Sequence, residues 1–467
     1  MNADAVAEPF TARSRWECRL PPADGEGLRA RRMIAAAPGV VIGLNDMTMF
    51  FEALARGLGY VPGIARGPIR RAARAGVILL ANHEALRAVA TWPAGCILTN
   101  AAVFSHASIA LLSRGIPTVI LDADQSKRLA EGTAVVLDGA AGRVLPASIQ
   151  PDALTPKPPP VPQPLHTRDG EPVELRVSVR AADAARVARE QGAAAVGLVR
   201  SELLLPAQDG APDKHFYLQA FGAILAAAAP LTVTIRLLDL APDKHPAWAA
   251  ALPDTGALGR HGSRLYDDPL VRSVLEAQFA ALAELCPRCP VRVLIPNVGT
   301  LGTLRHWQRV AKDATRPCNP VVGPMLETVG AALLVDHFLA ESSLVAIGLN
   351  DLMQSLYGAD RDMPQLRDAL DPYAPGVYRL LAQVARLAGA DVDRIQLCGI
   401  LPQLPGVLPV LLGLGYRTFS VDVAHAPYLA QTVAARSCAQ DRALADAVTA
   451  AASAREVRIL LGLAGGH

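Results

Sequence analysis

From residue 173 onward the apolar positions fall into short β-type runs separated by stretches of helical pattern. The runs are Val173 to Val179, Ala195 to Val199, Thr232 to Leu237, Val291 to Ile295, Val321 to Leu326, Leu344 to Ile347, Ile395 to Leu397 and Thr418 to Val421. Eight such strands with intervening helices between residues 170 and 438 meet the requirement of a (β/α)8 barrel. An Ala-rich tail of helical pattern, residues 439 to 467, follows. Upstream, residues 60 to 147 have a different grammar. Gly76 to Leu80, Cys96 to Thr99, Thr118 to Leu121 and Ala134 to Leu137 are short apolar runs divided by polar turns, and one helix-like stretch, Ser108 to Arg114, directly follows His106. The pattern predicts a small α/β domain. Between the two regions, within a linker of residues 148 to 169, seven prolines fall in the fourteen residues from Pro151 to Pro164. That segment is read as a stiff, extended spacer or hinge. Residues 1 to 59 are the least legible. Val40 to Met47 nearly repeats Val345 to Leu352. It is either a copy of a barrel strand with its loop, or simply a second strand-to-turn junction.

Composition narrows the classes of function. The chain has 467 residues, enough for two to four domains, and 51% are hydrophobic, ample material for cores. Only 4% are aromatic, which disfavours base stacking, and a formal charge of +2 argues against capture of nucleic acid or acidic membranes. The N-terminal residues scatter Asp4, Glu8, Arg13 and Arg15 through a segment without an apolar core, so no secretory signal is expected. Ile395 to Tyr416 carries no charge but is interrupted by Pro402, Pro405 and Pro409, and is read as barrel interior plus loop rather than a membrane span. The seven cysteines are irregularly spaced, as reduced thiols of a cytoplasmic protein would be. Cys286-Pro287-Arg288-Cys289 has no second metal pair nearby and reads as two ordinary thiols at a helix end.

Chemistry-bearing residues punctuate this framework in a definite order. His106 stands just before its helix, where a phosphate on the imidazole would meet unsatisfied backbone N–H groups. Around it run Pro62-Gly63-Ile64-Ala65-Arg66-Gly67, Ser105-His106-Ala107-Ser108-Ile109-Ala110, Gly115-Ile116-Pro117 and Asp138-Gly139. At or near the ends of the barrel runs come Gly197-Leu198-Val199-Arg200-Ser201-Glu202, Ile235-Arg236-Leu237-Leu238-Asp239 with Asp243-Lys244, Met325-Leu326-Glu327-Thr328, Ile347-Gly348-Leu349-Asn350-Asp351-Leu352, Ala359-Asp360-Arg361-Asp362 and Leu397-Cys398-Gly399. Glu327 and Asp351 are hard oxygen donors at presumed strand ends, where barrel sites form.

Six short motifs in one order resemble the phosphoenolpyruvate-utilising enzymes: enzyme I of the sugar phosphotransferase system, phosphoenolpyruvate synthase and pyruvate phosphate dikinase. The resemblance implies an α/β protein with a swivelling phosphohistidine domain ahead of a TIM barrel. It implies a phosphoenolpyruvate-dependent phosphotransferase, cytoplasmic and homodimeric through the barrel, that moves phosphate through His106 to an unknown acceptor and releases pyruvate. Arg236, His261, Asn350, Asp351 and Arg361 are then substrate-binding, Glu327 and Asp351 hold Mg2+, and Cys398 is the proton donor to the enolate. Two departures stand out. Ala101-Ala102-Val103-Phe104 occupies the place of the family's Gly-Gly-Arg-Thr, and His261, within Leu258-Gly259-Arg260-His261-Gly262-Ser263-Arg264, occupies the slot of a phosphate-binding Arg. No segment is expected to be long enough for an ATP-grasp domain, and residues 60 to 105 leave no space for the helical insertion that docks a phosphocarrier protein. Two alternatives therefore stay open. One is a synthase- or dikinase-like component whose nucleotide-binding part is a separate protein, and the other is a non-catalytic phosphoenolpyruvate sensor.

Overall fold

In a computed structural model of the chain, the eight apolar runs after residue 170 form strands that close on one another. The structure describes residues 53–467 except 100, 151–152, 206–209, 241–244, 254, 257 and 464–467. The near-repeat at Val40 to Met47 and the Asp243-Lys244 pair lie outside the described residues.

The first sheet has eight strands: β1 (Ala55–Arg56), β2 (Leu58–Val61), β3 (Ile64–Arg70), β4 (Ile78–Ala81), β5 (Gly95–Thr99), β6 (Thr118–Leu121), β7 (Ala134–Asp138) and β8 (Arg143–Pro146). Their order is β1-β8-β7-β3-β4-β5-β6-β2, with β3 to β6 parallel and the flanking pairs antiparallel. The four apolar runs read from the sequence are β4 to β7. β1, β2, β3 and β8 gave no such signal: β1 has two residues, β2 is interrupted by Gly59, β3 by Gly67-Pro68, and β8 has only Val144 and Leu145 between Arg143 and Pro146. Helix α1 (His106–Ser113) leaves β5 through the loop that carries the candidate histidine. Ser105 caps it, its Oγ accepting from Ser108 N at 3.2 Å. Gly115, at φ +61°, turns the chain into β6.

The second sheet is a closed, all-parallel barrel of β9 (Glu174–Val179), β10 (Val196–Arg200), β11 (Val233–Arg236), β12 (Val291–Ile295), β13 (Val321–Leu326), β14 (Val345–Gly348), β15 (Ile395–Cys398) and β16 (Thr418–Asp422), with β16 pairing back to β9. β12 to β15 are buried on both faces, which is why they read as near-continuous apolar runs, while β9 alternates. Leu198, Leu294, Met325, Leu344, Ala346 and Cys398 pack together as one buried cluster. The expected fold class, an α/β domain followed by a (β/α)8 barrel, is the one found.

The Pro-rich segment does not stand clear of the barrel. Val161 and Leu165 are buried, and Val161 N donates to Gln191 O at 2.7 Å. Val161 among the prolines and Leu165 just after the last of them anchor its second half. All described residues belong to one compact unit. His425, after β16, donates from Nε2 to the Tyr60 carbonyl of β2 at 3.1 Å. Burial pushes this imidazole down to about 4, so it is neutral and suited to a single N–H donor. Among the described residues no helix is long and apolar enough to cross a membrane.

Candidate active site

Strand register sets the level of the barrel mouth. Val179 pairs with Val199 and Arg200 with Arg236, so the arginines that end β10 and β11 stand side by side at the C-terminal edge. Arg236 is buried among three carboxylates. It contacts Glu202 through a short ion pair, Asp239 Oδ2 at 2.9 Å and Glu327 Oε1 at 3.2 Å. Its Nε has no hydrogen-bond partner among the described residues, a donor left over for a ligand.

Glu327 follows β13 directly and its Oε2 accepts from Asn297 N at 2.7 Å. Its place depends on Gly348, where a Cβ would lie 2.6 Å from both Cγ and Oε1 of Glu327. Asp351, in the helix after β14, pairs with Arg361 at 3.1 Å. Burial works against its carboxylate, yet Arg361, with His261 and Arg236 behind it, holds Asp351 below its ordinary value. Glu327 goes the other way. Burial, aided by Asp351 and Asp239 and opposed by Arg236, pushes it up to about 8.

A cluster of buried carboxylates that cannot all hold charge together is short of a cation, and hard oxygen donors are what Mg2+ prefers. Among the described residues no three His, Cys, Asp or Glu side chains gather as a complete cage. An ion at Glu327 and Asp351 would therefore complete its shell with substrate oxygens or water, the usual habit of Mg2+. The residues fit the ion.

His261 lies over this cluster, 3.6 Å from Asp239 Oδ1, an ion-pair distance rather than a hydrogen bond, and 3.2 Å from Asn297 Nδ2. Burial opposes its protonation, but Asp239, with Asp351 and Glu327 beyond, outweighs burial and raises its pKa above the usual value. Arg260 and Arg264 face away: Arg260 Nε donates to Arg264 O, and Arg264 donates to the carbonyls of Leu258 and Gly259. Asn350 is buried with its Oδ1 accepting from Ile400 N at 3.1 Å, tying the end of β14 to the loop after β15. Gly399, at φ +118°, passes beneath it, where a Cβ would come within 2.8 Å of that oxygen. Cys398 ends β15 with its thiol buried in the barrel, and its Sγ accepts from Gln396 Nε2 at 3.0 Å. Burial pushes it up to about 11. At neutral pH it keeps its proton.

His106 reaches this mouth from the other sheet. Its Nδ1 is 2.5 Å from Asp362 Oδ2, its backbone N donates to Asp362 Oδ1 at 3.0 Å, and its Nε2 is 3.1 Å from Arg361 NH2. A carboxylate only accepts and a guanidinium only donates. The contacts therefore assign the proton to Nδ1 and leave a lone pair on Nε2 facing Arg361. Arg361 is buried, and its NH1 has no partner among the described residues. An unpartnered buried guanidinium donor beside a nucleophilic nitrogen invites an anion between them.

The structure thus brings His106, Arg361, Asp351, Glu327, Arg236 and His261 into one network, while Asn350 and Cys398, at the ends of neighbouring strands, make their hydrogen bonds outside it. Four further residues join it: Asp362, Glu202, Asp239 and Asn297. The first three stand inside the motifs Asp360-Arg361-Asp362, Arg200-Ser201-Glu202 and Arg236-Leu237-Leu238-Asp239, so their position was a signal. Asn297, in the turn after β12 at φ +50°, carried none.

The description "PEP-utilising enzyme, PEP-binding domain" matches residues 160–438, the whole barrel and the anchored end of the segment before it. The chain belongs to the PEP-utilising enzymes. It is 30% identical over 368 residues to the phosphoenolpyruvate-protein phosphotransferase of Streptomyces coelicolor, covering 76% of this chain and 65% of that protein. It is 26% identical over 344 residues to the phosphoenolpyruvate-protein phosphotransferase of Bacillus subtilis, 68% and 60% of the two chains. It is 27% identical over 307 residues to multiphosphoryl transfer protein 1 of Escherichia coli, 63% of this chain and 37% of that one. The chain spans less than two thirds of the length of these relatives. In this PEP-utilising enzyme the apolar run before His106 is packed away. Phe104 and Ala102 are buried, and the carbonyls of Ala102 and Val103 accept from Ser108 Oγ and Tyr60 OH. That run sends no side-chain donor toward the imidazole, and the donor beside Nε2 is Arg361 of the barrel.

Proposed function

We propose that the protein is a phosphoenolpyruvate-dependent phosphotransferase in which His106 takes the phosphoryl group and pyruvate is released. The observation that carries this reading is the seating of His106 in the barrel mouth, Nδ1 on Asp362 and Nε2 facing Arg361. Nε2 attacks phosphorus, the bond from phosphorus to the enol oxygen breaks, and the electron pair stays on that oxygen. Asp362 holds the ring in the attacking tautomer and balances the imidazolium charge that develops. Arg361, through its free NH1, and Arg236, through its free Nε, draw the charge of the transferring group.

The enolate then takes a proton at its methylene carbon from the Cys398 thiol, giving pyruvate, and the thiolate recovers a proton from solvent. A thiol pushed up to about 11 suits that role, because it is a loaded proton donor throughout the physiological range. Glu327 and Asp351 would hold Mg2+, which supplies charge stabilisation at the substrate oxygens when bound. His261 adds a hydrogen-bond donor, more fully charged below neutral pH, and Asn350 ties the end of β14 to the loop after β15. The phosphoryl group passes from His106 to an acceptor, and the protein is a homodimer through its barrel, which light scattering on the full chain tests.

The decisive experiment is incubation with radiolabelled phosphoenolpyruvate and Mg2+. Acid-labile, base-stable label that disappears in His106→Ala is the expected result. Phosphoenolpyruvate binding without any such label would replace the enzyme with a sensor.

A further inference from the structure

Away from the mouth, the barrel also grips the histidine-bearing sheet at the loop after β16. Asp422-Val423-Ala424-His425 leads there into the helix Ala426–Ala435. Ala424 faces Gly115, in the turn that ends α1: a Cβ on that glycine would stand 4.0 Å from the Ala424 Cβ. His425 is buried, and its Nε2 donates to the Tyr60 carbonyl at 3.1 Å.

A β-bulge presents Tyr60 to this contact. Gly59 lies opposite Val119 and Val61 opposite Thr118, so two steps along β2 match one along β6 and Tyr60 is the extra residue. A bulge takes such a residue out of the ladder and re-aims it. The Tyr60 ring is buried, and its OH donates to the Val103 carbonyl at 2.9 Å. Burial and the charge of Asp422 hold this phenol well above its usual pKa, so it keeps the proton it donates. Val103 stands three residues before His106, and Ser105 between them caps α1. A path of two hydrogen bonds and a short piece of backbone thus runs from the barrel through His425 and Tyr60 to the segment that carries His106.

The imidazole is costly where it stands. It is neutral, its Nε2 is spent on Tyr60, and its Nδ1 has no partner among the described residues. An apolar ring would fill the place without burying an unpaired acceptor, so packing alone does not call for histidine. What histidine adds is the donor that crosses from one sheet to the other. Transfer requires Nε2 of His106 to meet phosphorus in line, and an error on the order of 1 Å costs much of the rate. Contacts at His106 alone would let its sheet pivot about that point. A second hold at Tyr60 removes the pivot.

We propose that His425 is a positioning residue for phosphoryl transfer: by holding the bulge at Tyr60 it sets the loop of His106 in register with the barrel, so that Nε2 arrives facing Arg361. Its part in transfer rests on His106 being the phosphoryl acceptor, as argued above; its part in seating the ring does not.

Full-length His425→Phe and His425→Gln test it. Phe keeps a ring and removes the donor, whereas Gln carries an amide N–H near the place of Nε2. The imidazole nitrogen shifts of His106, recognised by their absence from His106→Gln, report its seating without any transfer. Rapid-quench single turnover with saturating radiolabelled phosphoenolpyruvate and Mg2+ measures transfer, and calorimetry in the His106→Gln background measures phosphoenolpyruvate affinity. In His425→Phe the His106 shifts should move toward those of a free imidazole. Transfer should slow roughly 2- to 12-fold, the worth of one neutral hydrogen bond, with affinity kept within about twofold. His425→Gln should recover most of the rate. Tyr60→Phe, which cuts the link to Val103, should slow transfer too, and the double variant with His425→Phe should be little slower than either single one. Unmoved shifts or an unchanged rate in His425→Phe overturn the assignment, as does an affinity loss equal to the rate loss or a folded His425→Gln that recovers nothing. A double variant slowed by the product of the two losses overturns the path through Tyr60. A wild-type chain that takes up no acid-labile label, while the shifts of His106 still move in His425→Phe, sinks the proposed function and leaves the seating role standing.

Discussion

Replacing Asp362 by Asn probes the step on which the catalytic reading depends. In the wild-type chain Asp362 accepts from both the ring and the backbone of His106, at 2.5 and 3.0 Å. The two side chains are only 25% and 17% exposed, so the interaction is little screened by water. An Asn can still accept from the backbone N–H through its oxygen. Its amide then faces Nδ1 as a donor, which moves the ring proton to Nε2 and turns an N–H toward Arg361. The nucleophilic lone pair is removed from the position where phosphorus must arrive. Loss of one charge-assisted hydrogen bond corresponds to about 1.5–3 kcal/mol, or about 10- to 150-fold in the rate of phosphoryl transfer. The tautomer change acts in the same direction. Rapid-quench single turnover with saturating radiolabelled phosphoenolpyruvate measures the rate, and nitrogen chemical shifts of the imidazole report the tautomer. Since the side chain of Asp362 acts directly on His106, phosphoryl transfer should fall more than phosphoenolpyruvate affinity. A variant that transfers phosphate at the wild-type rate, or whose imidazole keeps its proton on Nδ1, would refute the reasoning.

Glu327→Gln and Asp351→Asn should each abolish Mg2+-dependent phosphoenolpyruvate binding in a folded chain, and calorimetry showing undiminished affinity in both removes the metal assignment. Gly348→Ala should act on the same readout from a distance, because its Cβ would displace the Glu327 side chain, at about 1–3 kcal/mol of overpacking. Cys398→Ala should leave phosphorylation of His106 detectable while slowing pyruvate formation roughly 10²- to 10⁴-fold. With the thiol held up to about 11, the sign of its pH dependence is clear: it stays protonated below that value, and native-state alkylation of Cys398 should accelerate only as pH rises toward it, so rapid labelling at neutral pH would be the wrong result. Limited digestion with a broad-specificity protease should cut the Pro-rich segment before Val161 and spare the stretch from Val161 to Leu165, since those two side chains are buried; cleavage throughout the segment would show that the anchoring fails.

The barrel was legible because most of its strands are buried on both faces. Burial of that kind writes uninterrupted Val, Ile and Leu runs into a sequence, as at Val291–Ile295 and Val321–Leu326. Strands that lie at edges or carry Gly and Pro, such as Ala55–Arg56 and Ile64–Arg70, write nothing comparable, and their pairing came from the rest of the sheet. Residue identities at strand ends were also legible. Glu327, Asp351, Arg361 and Cys398 sit one after another along the chain, and closing the barrel places such positions around one mouth. What the chain order could not express was the partner each side chain would find. Asp362 meets His106 across 256 positions of sequence, and Asn297 reaches Glu327 across 30. Arg200 stood in a motif and Arg180 carried no signal, yet in the folded chain both line one cleft, while Arg236 beside them is enclosed by carboxylates. A linear pattern records which faces are buried and which residue types are present. The approach of one charged group to another from a different sheet, and hence its protonation and its chemistry, exists only once the sheets have packed.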